Sequence, residues 1–88
     1  MSIKVRLNMP LQKLAGGKKM VKVSGNTVRE CLNDLIKILP GAENNIFYKN
    51  GYLRPLILIN NAHFPQDELD REVKDGDELW MITMMFGG

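Results

Sequence analysis

The stretch IKVRLNM at residues 3–9 alternates, with Ile3, Val5, Leu7 and Met9 on one side and Lys4, Arg6 and Asn8 on the other. Successive side chains of a strand point to opposite faces, so the pattern predicts a half-buried strand whose odd positions face a core. PLQKLAGGKK follows and reads as a loop, with Gly16-Gly17 free to take positive φ. MVKVS alternates again, so residues 2–24 predict an antiparallel hairpin. Next, Thr27-Val28-Arg29-Glu30 forms a capping box: Thr27 caps the Glu30 amide and Glu30 reaches back to the backbone of Thr27. Val28, Cys31, Leu32, Leu35, Ile36 and Leu39 share one helical face, Arg29, Asn33, Asp34 and Lys37 the other, and Pro40-Gly41 stops the helix.

GAENNIFYKNGYLR is irregular, with an Asn50-Gly51 turn signal. The unbroken apolar run PLILIN predicts an interior strand covered on both sides or nearly so. Asn60 and Asn61 both tolerate positive φ, so INNAHF predicts a tight hairpin into a short strand. PQDELDREVKDGDEL crosses back as a polar segment anchored by Leu69 and Val73 and turning at Asp75-Gly76, before the last strand, ELWMITMM. The order is hairpin, helix across the sheet, then strands returning towards its middle. It predicts an α+β fold of the β-grasp (ubiquitin-like) kind: a mixed sheet of four to five strands with one main helix packed across it. Residues 1–83 form that domain and 84–88 an extended C-terminal tail ending in diglycine.

The 88 residues suit one domain with a modest core. A single cysteine, Cys31, excludes an internal disulfide framework and a multi-cysteine zinc site, and its place in the apolar stripe makes it a core thiol. The N-terminus lacks the apolar run of a signal peptide, and no stretch approaches the ~20 residues of a membrane span. A soluble, cytoplasmic domain is the expectation. Charge is distributed unevenly: residues 1–29 carry Lys4, Arg6, Lys13, Lys18, Lys19, Lys22 and Arg29 without an acid. Residues 60–88 carry Asp67, Glu68, Asp70, Glu72, Asp75, Asp77 and Glu78 against Arg71 and Lys74. Either the halves neutralise each other, the acids then forming a solvated face, or they make two patches for two partners. The basic residues are not interleaved with aromatics, which disfavours nucleic acid.

Catalysis by this chain alone is not expected. His63 has no partner at metal-ligand spacing, there is no Ser-His-Asp set, and GGKK lacks the glycine spacing of a phosphate-binding loop. The chemistry points instead to TMMFGG. Glycine loses more conformational entropy on ordering than any other residue, so Gly87-Gly88 cannot serve to stabilise the fold. Either the pair is a frayed end, or the Gly88 carboxylate is where the protein acts.

Three stretches carry a resemblance to the MoaD/ThiS ubiquitin-like sulfur carriers. PLQKLAGG at 10–17 resembles the first hairpin loop of that family, TVRECLNDLIKILPG at 27–41 its helix, and VKDGDELWMITMMFGG at 73–88 its closing turn, strand and diglycine tail. With LILINNAHF the likeness spans almost the whole chain apart from residues 42–54. The resemblance implies that the Gly88 carboxylate is adenylated by a partner related to ubiquitin-activating enzymes, which uses ATP and magnesium. A persulfide or sulfide then displaces AMP, and the resulting thiocarboxylate donates sulfur in cofactor biosynthesis, molybdopterin-type first, through an acceptor like the molybdopterin synthase large subunit. Gly87 gives the clearance that a narrow channel demands. No metal or cofactor is held by the chain itself, which acts as protein co-substrate or small subunit of a synthase. Met84, Met85 and Phe86 with Trp80 and Ile82 would form a partner-binding patch, Leu79 and Met81 pointing inward. Two alternatives stand beside this: a protein modifier joined to target lysines through the same tail, and a β-grasp binding module whose tail is inert.

Overall fold

The computed structural model describes residues 2–63 and 68–82, the side chain of His63 excepted. Within them the predicted hairpin forms from β1 (Ser2–Arg6) and β2 (Met20–Ser24), antiparallel with Ile3 opposite Val23 and Val5 opposite Val21. Ile3, Val5 and Val23 are buried while their neighbours along the strands are exposed, as the period of two requires. The connection between the strands is not only a loop. It contains a helix, α1 (Met9–Leu14), whose start is capped by the Asn8 side chain accepting from the Leu11 N–H at 3.2 Å, with Pro10 in its first turn. Leu11 is fully buried, and the helix rolls Met9, expected to face inward, out to 65% exposure. Gly16 (φ 69°) and Gly17 (φ 94°) then reverse the chain as expected.

The main helix, α2 (Val28–Ile38), buries Val28, Cys31, Leu32 and Leu35 against the sheet. Fully burying one such leucine contributes about 1.5–3 kcal/mol, and this face is what joins helix to sheet. Thr27 Oγ1 accepts from Glu30 N–H at 3.1 Å. The next two orphan donors are met from the acidic segment: Val28 N–H donates to the Arg71 carbonyl and Arg29 N–H to the Leu69 carbonyl, at 3.1 and 2.8 Å. The Glu30 carboxylate reaches Asn26 N–H at 2.9 Å, one residue before the expected Thr27. Residues 26–28 are held extended against 71–73 by the Val28–Arg71 and Val73–Asn26 bonds, and the amide this leaves within reach is that of Asn26.

Residues 42–54 extend the core. A single turn, α3 (Glu43–Ile46), buries Ile46 beside Ala42, and a bridge between Phe47 and Leu53 closes a small loop around Gly51 (φ 88°). The remaining strands are β3 (Leu56–Ile59), the two-residue β4 (Ala62–His63) and β5 (Glu78–Ile82). The hairpin turn at Asn60 (φ 50°) and Asn61 (φ 68°) is the one expected. Leu69 and Val73 anchor the polar crossing, at 7% and 3% exposure. The sheet runs β2-β1-β5-β3-β4, with β1 and β5 parallel and the other pairs antiparallel. The predicted mixed sheet of four to five strands with one main helix across it is therefore present. The expectation that β3 is an interior strand covered on both sides or nearly so is met in part: it lies between β5 and β4, but its two faces are not covered equally. Only Ile57 is fully buried, while Leu56 and Leu58 lie partly exposed on the face opposite α2. No helix among the described residues is long and apolar enough to cross a membrane.

Candidate functional site

The last strand alternates in the expected sense. Leu79 and Met81 are buried at 0% and 4% exposure, which turns Trp80 and Ile82 to the open face of the sheet. There Trp80 stands opposite Leu58 and Ile82 opposite Leu56, so four apolar side chains, all partly exposed, form one cross-strand cluster. On the other flank Arg6 is the register partner of Trp80, and its guanidinium lies 4.6 Å from the indole ring centre. Such a cation–π contact is worth about 0.5–1 kcal/mol at an exposed site. Arg6 Nε also donates to Glu78 Oε1 at 2.8 Å, and the same oxygen accepts from the Trp80 indole N–H. These two donors hold the Glu78 carboxyl below its ordinary range. The indole is thus fixed at three points: Leu58, Arg6 and Glu78.

The turn that launches β5 is pinned by groups that sequence reasoning treated as a solvated acidic face. Asp75 Oδ1 accepts from Ser2 N–H at 2.7 Å. Asp77 Oδ2 accepts from Lys74 N–H at 2.8 Å and its Oδ1 from Asn60 Nδ2 at 3.0 Å, which depresses the Asp77 carboxyl. Asn60 answers by accepting Glu78 N–H at 2.9 Å through Oδ1. The signal was present in the Asp75-Gly76-Asp77 spacing, since aspartates fold their side chains onto nearby amides in such turns. The neutralising reading of the charge asymmetry also holds at two places, Arg6–Glu78 and Arg29–Asp70, at 2.8 and 2.9 Å. Both pairs are exposed and contribute little to stability.

Cys31 is fully buried, and burial, with Asp34 and Glu30 nearby, pushes its thiol up to about 11. A thiol held protonated is a poor nucleophile, so Cys31 is part of the core, as its spacing indicated. No group of three or more metal-binding side chains occurs among the described residues. Of the sequence-predicted site, Trp80 and Ile82 are brought together with Leu56, Leu58 and Arg6. Met84, Met85, Phe86, Gly87 and Gly88 lie outside the described residues. Leu56 and Leu58 join this cluster without a sequence signal, because the unbroken apolar run PLILIN, which predicts a strand covered on both sides or nearly so, does not single out the face beside Trp80 and Ile82.

A mixed sheet in which the last strand lies centrally beside the first, with a helix across one face, defines a β-grasp domain of the ubiquitin-like class. Residues 5–88 match the ThiS family, and the chain belongs to that family. Among solved structures it is similar to SAMP1 from Haloferax volcanii, 27% identical with a TM-score of 0.83 over 100% of both chains. It is equally similar to a chain of the Amycolatopsis orientalis BexX/CysO complex, 26% identical with a TM-score of 0.83, covering 98% of this chain and 99% of that one. The small archaeal modifier protein 1 of Methanosarcina acetivorans is 28% identical, TM-score 0.81, covering 99% of this chain and 96% of that one. No curated protein matches the sequence significantly.

Proposed function

We propose that this chain is a sulfur-carrier protein that works through the carboxylate of Gly88. A carboxylate is a poor acyl donor, so it must first acquire a leaving group. In the proposed sequence a Gly88 carboxylate oxygen attacks the α-phosphorus of ATP, with magnesium, on an adenylating partner related to ubiquitin-activating enzymes, and pyrophosphate departs. A sulfide then attacks the acyl carbon and AMP leaves, which yields a thiocarboxylate. Where a persulfide is the donor, the acyl disulfide first formed is cleaved by a further thiol, which departs in a disulfide with the donor's sulfur and leaves the thiocarboxylate. An acceptor enzyme takes the sulfur, a molybdopterin-synthase-type large subunit being the first to try. This chain's own part is to dock and to present. Trp80 and Ile82, with Leu56 and Leu58, supply a fixed apolar surface at the end of β5, which residues 83–88 follow in the sequence. Met84, Met85 and Phe86 would prolong it, and Gly87 would keep the final step free of side chains.

The observation that carries this reading is the family match running through to residue 88, the residue whose carboxylate the chemistry needs. Likeness to proteins named small archaeal modifier protein favours one second reading, in which the activated Gly88 carbonyl is attacked by a target lysine and an isopeptide bond results. Incubation with the cognate adenylating enzyme, ATP and a sulfide source, followed by intact-mass measurement, separates the two. Exchange of one oxygen for sulfur on the free chain supports the carrier. Heavier conjugates lost on deleting Gly88 support the modifier. An unchanged mass with a competent adenylating enzyme, and unaltered behaviour after deleting Gly87-Gly88, would leave a β-grasp binding module with an inert tail.

A further inference from the structure

The other end of the sheet carries a feature that the tail chemistry does not use. Among the described residues β2 is an edge strand, paired on one side only, with β1. Leu7 N–H donates to the Lys19 carbonyl, and antiparallel pairs alternate, so residues 19, 21 and 23 turn their backbone groups towards β1. Met20, Lys22 and Ser24 consequently turn theirs outward. Asp34 Oδ2 occupies the Ser24 N–H at 2.8 Å, which, among the described residues, leaves the amides and carbonyls of Met20 and Lys22 as the open stretch of edge.

The side chains around that stretch are selective. Across the outer face one register row reads Glu78, Lys4, Lys22, and it ends at the edge on a positive charge. Two lysines directly opposite one another are unfavourable, and an acid placed beyond Lys22 would relieve the repulsion. Lys19 adds charge on the approach. On the inner face, Val21 is partly buried, and Ile38 follows Asp34 by one helical turn on the same side of α2 with 45% exposure. The edge therefore offers backbone pairing, a basic row on one face and an apolar shelf on the other.

We infer that Met20–Ser24 accepts an extended segment of a partner protein as an added strand, with an acidic residue opposite Lys22 and apolar residues opposite Val21 and Val23. Residues paired across a ladder share a face, so the acid meets the lysine row while its two neighbours turn towards Ile38. A second copy of this chain is the wrong occupant. Antiparallel pairing of β2 with itself about Lys22 would set lysine against lysine, the device by which edge strands avoid their own kind. The site lies two strands from β5, so it operates whether or not Gly88 carries sulfur.

The test uses the full chain, labelled with nitrogen-15, and a peptide with a Val-Glu-Val core. The expected result is saturable shifts of the Met20 and Lys22 amides with slowed hydrogen exchange at both. Lys22→Glu should weaken binding about fivefold at low salt and reverse the preference towards a Val-Lys-Val peptide. A peptide N-methylated at the edge-facing amide should not bind. The inference is overturned if the shifts fall around Trp80 instead, if no saturable shift occurs, or if Lys22→Glu binds the acidic peptide as well as the native chain does. Concentration-dependent protection of the Met20 and Lys22 amides without peptide would assign the edge to a second copy and overturn it equally. Failure of the Gly88 chemistry would leave all these readouts unchanged.

Discussion

Replacing Gly25 by alanine adds a methyl group where none fits. A Cβ at this position would lie 2.7 Å from the backbone nitrogen of Cys31, 2.9 Å from Glu30 Cβ and 3.0 Å from Cys31 Sγ. Non-bonded carbon atoms settle at about 3.5–4.0 Å, so the first turn of α2 must retreat by several tenths of an ångström. Two of the three atoms belong to backbone or to a side chain's first carbon, and no rotamer change removes them. Overpacking of this kind costs about 1–3 kcal/mol. The retreat also strains the Thr27 cap, a contact worth about 1 kcal/mol. Against this, alanine restricts the unfolded chain and returns about 0.4–1 kcal/mol. Steric cost wins, and the net loss is about 1–3 kcal/mol. Each kcal/mol lowers Tm by about 4–8 °C in a domain of this size. Urea unfolding followed by the fluorescence of Trp80, the chain's one tryptophan, reads the effect as a lower midpoint at unchanged slope. An alanine variant as stable as the native chain, or more stable, would refute the close approach of the β2–α2 connection to the helix.

Two further predictions concern pH. The Cys31 thiol ionises near 9.0 when free and at about 11 in the fold, so between these values only the unfolded chain releases its proton and stability falls as pH rises. Cys31→Ala should lack this part of the alkaline decline, measured as the difference between the two urea midpoints across that range. Asp77 behaves in the opposite sense: its carboxyl is depressed from 3.8, so its stabilising contribution is present above that value and is lost as pH falls through the folded one. The advantage of the native chain over Asp77→Asn should therefore shrink on acidification below 3.8, and an advantage that persisted unchanged would contradict the role given to the Lys74 and Asn60 bonds.

Local signals carried much of the architecture. Thr27 and Glu30 placed α2, the period of two placed β1, β2 and β5, and Asn60-Asn61 placed the β3–β4 turn, because each depends on neighbours a few residues away. The helix α1 was overlooked although Asn8 and Pro10 are a start signal. Gly16-Gly17 is a strong loop signal, and the β1 alternation runs on through Met9, so the change of period is masked in the sequence. For β3 the limit is different. An unbroken apolar run is equally consistent with two covered faces and with one covered face plus one partly exposed face, and only the register of Leu56 and Leu58 against Ile82 and Trp80 distinguishes them. The Arg6–Trp80–Glu78 arrangement joins residues from opposite ends of the chain and is set by the parallel pairing of β1 with β5. No local pattern encodes it.

ATP–pyrophosphate exchange, catalysed by the cognate adenylating enzyme with this chain as acyl substrate, tests the central claim most directly. The native chain should support exchange, and the same chain lengthened by one alanine after Gly88 should not, while the two unfold at the same urea concentration. Exchange at the native rate by the lengthened chain would contradict the account.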